Sequence, residues 1–289
     1  MRLAVLAARA GWHTQQLERA AALRGHEAII LPYERLVANI GPGPGLHSQS
    51  CDLDTVDVVL ARIIPSGSLE QIVFRVDALH RLDDRGVPVV NSPRAIERTV
   101  DKFWTSALLE QCGIATPETV VCEDPEQAMS AFRRMQDVIV KPLFGSMGLG
   151  LVRIQDEDMA YRVFRTIEQI RGVYYLQRTI DHGGVDVRVF VLGGQVLAAI
   201  ERSSSGWRTN LARGGKARSV TLPESSKRLA LRAAAAVGAD YAGVDLVSSR
   251  EGQTFVLEVN GIPGWKGLQE ATGLDVAGAL IDHLAVRAR

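Results

Sequence analysis

Apolar positions recur along this chain in two patterns, and the pattern changes near Ser92. Before that point, short apolar runs alternate with amphipathic stretches. RLAVLAA (2–8) reads as a buried strand, QQLERAAALR as a helix that Thr14 caps and Gly25 stops, and EAIILP (27–32) as the next strand. GPGPGLHSQS (41–50) reads as a loop and VDVVLAR (56–62) as a buried strand. An amphipathic helix over SLEQIVFRVDALHRLDDRG (68–86) then leads to a strand at VPVV (87–90). Strands alternating with helices predict a parallel sheet. From Ser92 onward the pattern predicts helices over 95–113, 125–135, 157–171, 225–237 and 273–287. The strand-like segments between them come as hairpins: VIVK with LVRI around a glycine-rich loop, DVRVFVLGGQVLAAIER (186–202) around Gly193-Gly194, and AGVDLVSSREGQTFVLEVN (242–260). The expected fold class is therefore α/β followed by α+β. At 289 residues the chain exceeds the ~100–150 typical of one domain, and three units are expected: 1–91, 92–172 and 173–289.

Composition narrows the function. The formal net charge is zero, with 33 basic and 33 acidic residues, and no basic stripe with interleaved aromatics argues for nucleic acid. No run approaches the ~20 apolar residues of a membrane span, and the N-terminal segment lacks a signal-peptide pattern, so a cytoplasmic protein is expected. Self-association is left open. Cys51, Cys112 and Cys122 have no CxxC spacing and read as small hydrophobes. The histidines form no metal-ligand pair, so any metal must be held by oxygen. Positive charge is carried almost wholly by arginine, the only lysines being Lys102, Lys141, Lys216, Lys227 and Lys266. A lysine kept on an apolar strand, as at Lys141, suggests that a compact point charge is wanted there.

Lys141 precedes the glycines at 145, 148 and 150, the reverse of a Walker loop, and no helix follows. The glycine-rich segment is expected to close over a ligand as a hairpin lid. In the last hairpin Asp245 and Glu258 interrupt strands that otherwise read as core, and a turn near Arg250 and Glu251 places them opposite each other, with Asn260 on the face of Glu258. Facing carboxylates repel unless one is protonated or a cation lies between them, and an oxygen-only set of this size suits Mg²⁺. Pairing of each acid with an arginine is the bland alternative. Arg208 and Asn210, two apart in the polar stretch ERSSSGWRTNLARGG, would offer an anion a guanidinium and an amide, or belong to an ordinary surface loop.

Taken in order, the lysine before the glycine hairpin, YYLQRTI, DVR, R-x-N followed by RGG, D-L-V and E-V-N-x-x-P-G resemble the ATP-grasp superfamily, and within it the RimK-type α-L-glutamate ligases. The likeness runs over about residues 90 to 285, and the N-terminal β-α-β unit is similar to the family's pre-ATP-grasp domain. The resemblance implies that Lys102 and Lys141 approach the ATP phosphates, with Gly145, Ser146 and Gly148 in the lid over them. The backbone at Gln177, Arg178, Thr179 and Ile180 would hold adenine, with Asp186 near the nucleotide. Arg208 and Asn210 would face the transferring phosphoryl group, making Arg208 and Lys141 the catalytic cations. Asp245, Glu258 and Asn260 would bind two Mg²⁺, a role Mn²⁺ could also fill, with Glu258 bridging. Arg178 stands where relatives often carry an acidic residue.

The implied reaction joins an amine to a carboxylate through an acyl phosphate, with no protein nucleophile. For the acceptor, ARIIPSGSLEQIVFRVDALH (61–80) begins at a strand's C-terminal end, where open α/β sheets place ligands. It resembles the segment of ligases that add glutamate to tetrahydromethanopterin, which would make Arg62, Ser66 and Ser68 substrate contacts. Alternatively these residues cap the following helix. The partners expected are an amino acid and a small pterin-type acceptor. A protein C-terminus as acceptor, and a nucleotide-binding regulator without turnover, are the other readings.

Overall fold

The computed structural model describes residues 1–289 apart from 42, 44, 146, 147, 205, 208 and 210–214. Its first part contains β1 (Arg2–Ala7), α1 (Trp12–Leu23), β2 (Glu27–Pro32), β3 (Leu36–Ala38), β4 (Leu46–Ser48), β5 (Cys51–Asp52), β6 (Val58–Ala61), α2 (Leu69–Asp84) and β7 (Val89–Val90). The strands order β2-β1-β6-β7, and every pair is parallel. Both faces of this sheet are covered, which explains why its strands are continuous apolar runs rather than alternating ones. Leu3 and Val5 pack with α1 and the C-terminal helix, while Ala4 and Leu6 pack toward α2. Two local expectations change. Thr14 lies inside α1, not before it: its hydroxyl accepts from Gly11 N–H and donates to Gly11 O, both at 2.8 Å. Part of 41–50 is strand, because β3, β4 and β5 form a small antiparallel sheet whose two- and three-residue members are too short to show a period.

The helix expected over 95–113 is two helices, α3 (Pro93–Val100) and α4 (Lys102–Gln111). Asp101 ends the first with an extended backbone and caps the second, accepting from Trp104 N–H at 3.0 Å. A short polar side chain that competes for backbone donors breaks a helix this way. Next come β8 (Thr119–Cys122), α5 (Pro125–Met135), β9 (Val138–Lys141), β10 (Val152–Ile154), α6 (Glu157–Gln169) and β11 (Tyr174–Arg178). They build an antiparallel sheet ordered β10-β9-β11-β8. Val138, Val140, Tyr174 and Leu176 pack under α5 and α6. Strand alternation therefore turns Lys141, Tyr175 and Gln177 to the opposite face. Because β11 is bonded between β9 and β8, the expected boundary at 172/173 moves beyond Arg178.

The remaining elements are β12 (Val185–Leu192), β13 (Gln195–Ser203), β14 (Lys216–Ser219), α7 (Glu224–Val237), β15 (Tyr241–Ser248), β16 (Thr254–Asn260), α8 (Lys266–Thr272) and α9 (Val276–Arg287). The strands order β14-β13-β12-β15-β16. Gly193 and Gly194 both have positive φ, +56° and +74°, as a two-residue hairpin turn demands. One face of this sheet packs on α7, with Leu109 of α4 and Ile114 joining the same core. α4 thus lies against the C-terminal sheet although it precedes the central one in the chain. The other face is divided. Phe190, Ile200 and Tyr241 join the core shared with β1, α1, Trp265 and α9, and beyond them the face turns polar. Among the described residues, no helix is long and apolar enough to cross a membrane.

Candidate active site

The polar part of that face is a row of cross-strand charges. Asp186 is opposite Arg202, Arg188 opposite Asp245, and Asp245 opposite Glu258, with Asn260 two residues further on. Arg202 Nε donates to Asp186 Oδ1 at 2.7 Å and its Nη2 lies 3.1 Å from Asp245 Oδ2. Arg188 grips both oxygens of Asp245, at 2.7 and 2.6 Å. Asp186, Arg202 and Asp245 are buried. Burial opposes the charge on Asp245, but Arg188 and Arg202 outweigh it and hold its carboxyl below the usual range. Burial likewise opposes the charge on Arg202, and Asp245 and Asp186 outweigh it, keeping the guanidinium ionised. For Asp245 the arginine pairing weighed against a metal is therefore what the structure contains. Glu258 differs: among the described residues it has no hydrogen-bond or ion-pair partner. Asn260 Nδ2 donates to Gly243 O at 3.2 Å, so the amide oxygen is its remaining polar end.

Two lysines face this row, Lys141 from the central sheet and Lys102 from the start of α4. Lys141 Nζ donates to Gln177 Oε1 at 2.6 Å and stands 5.9 Å from the centre of the Tyr175 ring. Burial pushes its pKa down to about 8; Glu258 opposes the shift, Lys102 adds to it, and Asp245 opposes it. Lys102, the first residue of α4, donates to Gly145 O at 2.8 Å and to Leu143 O at 3.5 Å. Burial lowers its pKa as well, against Glu258 and Asp101. Lys102 thus ties down the start of the glycine-rich segment. Gly145, Gly148 and Gly150 have φ of +143°, +68° and +74°, which lets the backbone turn where a β-carbon would be strained. At the hinge, Arg178 N–H is bonded to Glu118 O and Thr179 N–H to Asp137 O, whereas Ile180 N–H has no partner among the described residues. The Arg178 guanidinium turns to Glu118, at 2.9 and 2.6 Å. That pairing accounts for a basic residue here: its charge is matched by Glu118. A cavity of about 380 Å³ lies against Thr179, Ile180, Asp181 and Trp207. Ser146, Arg208 and Asn210 lie outside the described residues.

At the other end of the polar face, Arg62 is 4% exposed. Its guanidinium donates to Tyr241 Oη and Pro263 O, both at 3.2 Å, and lies 4.7 Å above the Trp265 ring. Trp265 N–H donates to His13 Nε2 at 3.2 Å, and burial, with Arg62 and Lys266 nearby, pushes His13 down to about 4. Asn91 adds a second tie, exchanging hydrogen bonds with the Tyr241 backbone at 2.8 and 3.0 Å. Arg62 therefore joins the N-terminal sheet to the loop after Asn260, and its expected place against a substrate gives way to internal partners. Ser68 caps α2, accepting from Gln71 N–H at 3.3 Å while Gln71 Oε1 accepts from Ser68 N–H at 3.0 Å. Ser66 is exposed, and its carbonyl is 3.5 Å from Arg75 Nη1. Sequence reasoning missed Arg188, Arg202, Thr119 and Tyr175; the D-x-R spacing at 186–188 was the one available signal for the ion row.

Residues 99–284 match the RimK-like ATP-grasp domain family, and residues 1–96 match the RimK PreATP-grasp domain family. The chain belongs to the RimK-like ATP-grasp family. It is 34% identical to the tetrahydromethanopterin:alpha-L-glutamate ligase of Methanosarcina acetivorans, over 94% of this chain and 95% of that protein. It is 32% identical to a "Probable alpha-L-glutamate ligase" of Stutzerimonas stutzeri, over 94% and 91%. In fold it is similar to the ATP-grasp ligase PsnB solved with a minimal precursor, Mg and ADP (TM-score 0.77, 22% identity, 98% and 97% covered). It is also similar to a RimK domain ATP-grasp protein of Sphaerobacter thermophilus (TM-score 0.75, 23% identity, 99% and 100% covered). The RimK-like chain is thus an ATP-grasp ligase of the α-L-glutamate ligase family.

The RimK-like ATP-grasp fold implies ATP and Mg²⁺, and the residues present fit that cation. Among the described residues, Glu258 and the Asn260 amide oxygen are unengaged, and they are adjacent and face two lysines whose charge would balance phosphates. Asp245 fits on one condition: an arginine contact must be exchanged for the cation.

Proposed function

We infer that this protein uses ATP to join L-glutamate to a carboxylate-bearing acceptor. The observation that carries the reading is the juxtaposition of Lys141 and Lys102, both electrostatically coupled to Glu258, with the oxygen row of Asp245, Glu258 and Asn260. The two sets would hold the triphosphate between them, and the Ile180 N–H beside the hinge cavity would receive the adenine. Glu258, Asn260 and Asp245 would hold two Mg²⁺ ions, which would neutralise phosphate charge. Lys141 binds the phosphates from a fixed strand, and the hairpin after it closes and shields the site from water. Arg208 and Asn210 remain assigned to the transferring phosphoryl group on sequence grounds. The acceptor's carboxylate attacks the γ-phosphorus and ADP leaves; the amine of glutamate then displaces phosphate from the acyl phosphate.

For the acceptor we infer a tetrahydromethanopterin-type pterin. The ligases named for that acceptor in Methanosarcina acetivorans and Methanococcus maripaludis are 34% and 31% identical to this chain. The loop and helix after β6 expose Ile63, Leu69, Val73 and Phe74, apolar surface suited to a flat heteroaromatic ligand. The test is ADP release with Mg²⁺ and L-glutamate across pterin, deazaflavin and peptide acceptors. Release with the pterin alone supports the reading. Release with only the peptide replaces the acceptor, and release with none removes the ligase reading for these substrates.

A further inference from the structure

Gln177 is 1% exposed, yet its amide oxygen is the hydrogen-bond partner of the Lys141 ammonium, at 2.6 Å. On β11 it stands cross-strand from Ile139 on β9 and from Thr119 on β8. Its Nε2 donates to Thr119 Oγ1 at 3.1 Å and reaches Tyr175 Oη at 3.5 Å. Thr119 Oγ1 gives its single proton to Pro117 O at 2.8 Å, so toward Gln177 it can only accept. This fixes the amide: the NH₂ faces Thr119 and the oxygen faces Lys141, since a flip would set donor against donor at Lys141 and acceptor against acceptor at Thr119. Tyr175, whose ring lies beneath the ammonium, is tied in turn to Ser106 of α4 at 2.8 Å.

We propose that the Gln177 side chain is a positioning residue that seats the Lys141 ammonium for the nucleotide phosphates, with Thr119 locking its amide in the required orientation. The inference rests on Lys141 being a phosphate-binding lysine. A lysine stem has several rotatable bonds, and a seat that selects one placement removes that freedom before the nucleotide arrives. A neutral carbonyl does this without cancelling the charge. A glutamate in its place would form an ion pair that a phosphate must break.

The test uses Gln177→Met, which keeps the length and removes the amide, Gln177→Glu, and Thr119→Val, which leaves Gln177 in place and removes only the hydrogen bond that orients it. Each is read by equilibrium affinity for ADP, by the KM values for ATP and for acceptor, and by NMR of ¹³C-dimethylated lysines, which are few enough to assign. Both Gln177 variants should lose about tenfold in ADP affinity and gain about tenfold in KM for ATP, the scale of one hydrogen bond to a charged group. The KM for acceptor should stay unchanged. Thr119→Val should show a smaller loss in the same direction, and the Lys141 methyl resonance should move in all three. Wild-type ADP affinity and an unmoved resonance in Gln177→Met would show that Gln177 only fills the core; if that variant does not fold, the same result in Thr119→Val overturns the proposal. A loss in Lys141→Met with none in the Gln177 variants sinks this proposal alone. An unchanged affinity in Lys141→Met removes the phosphate role of Lys141 and the proposal with it.

Discussion

Raising the pH should weaken nucleotide binding and strengthen the empty fold at the same time, both through Lys141. Burial holds this lysine at about 8 in the folded protein, against an ordinary value of 10.5. Phosphates complete their ionisation near pH ~6, so above neutrality the titrating partner is the lysine. If only the ammonium binds, ADP affinity falls about tenfold per pH unit above pH 8. It levels off after a total loss of about ten- to hundredfold, when the single charge-assisted contact is gone. Stability moves the other way. Between about 8 and 10.5 the unfolded chain holds a proton that the folded chain has released, so unfolding free energy rises with pH, by at most about 1.4 kcal/mol per unit from this group. Below about 8 both states are protonated and the burial cost is constant. The assay is calorimetric ADP titration without Mg²⁺ from pH 7 to 10, paired with urea unfolding of the empty protein, for wild type and Lys141→Met. The variant should lose the affinity slope and the stability slope together. A flat wild-type affinity, or an equal slope in Lys141→Met, would refute the reasoning.

Glu258→Gln should abolish Mg²⁺-dependent ADP release while its urea midpoint stays near wild type, because Glu258 has no ion pair to lose among the described residues; near wild-type turnover would remove it from the cation site. Arg62→Ala should cost about 3–6 kcal/mol of stability, two hydrogen bonds from a buried charge, with ADP affinity unchanged; a raised KM for acceptor without loss of stability would return Arg62 to the substrate. Ser68→Ala should cost about 1 kcal/mol through the lost cap of α2 and leave the acceptor KM alone. Arg202→Met should cost about 3–5 kcal/mol, since Asp186 would be left buried and unpaired; a loss under about 1 kcal/mol by urea unfolding would show that water reaches the row.

The parts of this fold legible in the sequence are those with long periods or sharp punctuation. β2 and α5 fall where their apolar patterns put them, and the facing of Asp245 and Glu258 follows from hairpin register alone. What escaped has a local cause in each case. Asp101 splits a helix because one carboxylate caps α4 while its backbone leaves α3. α8 and β3 to β5 are shorter than any period that could reveal them. The assignment of β11 failed for a different reason: YYLQR is strand-like wherever it pairs, and only the hydrogen bonds to β8 and β9 decide its sheet.

The same distinction separates what was and was not legible in the site. Residue types that carry chemistry stand out against apolar strands, so Lys141, Asp245, Glu258 and Asn260 could be singled out one at a time. Their partners could not, because pairing across strands depends on register between segments far apart in the chain. Asp245 meets Arg188 from 57 residues away, and Arg202 comes from a third strand. This matters for the chemistry. An aspartate gripped at both oxygens is pre-charged and fixed in place, so if Glu258 and Asn260 hold a cation as proposed, Asp245 would exchange a guanidinium contact to become its third ligand. Cation affinity is then set by an exchange of partners, and Arg188, the more exposed of the two arginines at 20% against 4%, is the one with room to leave.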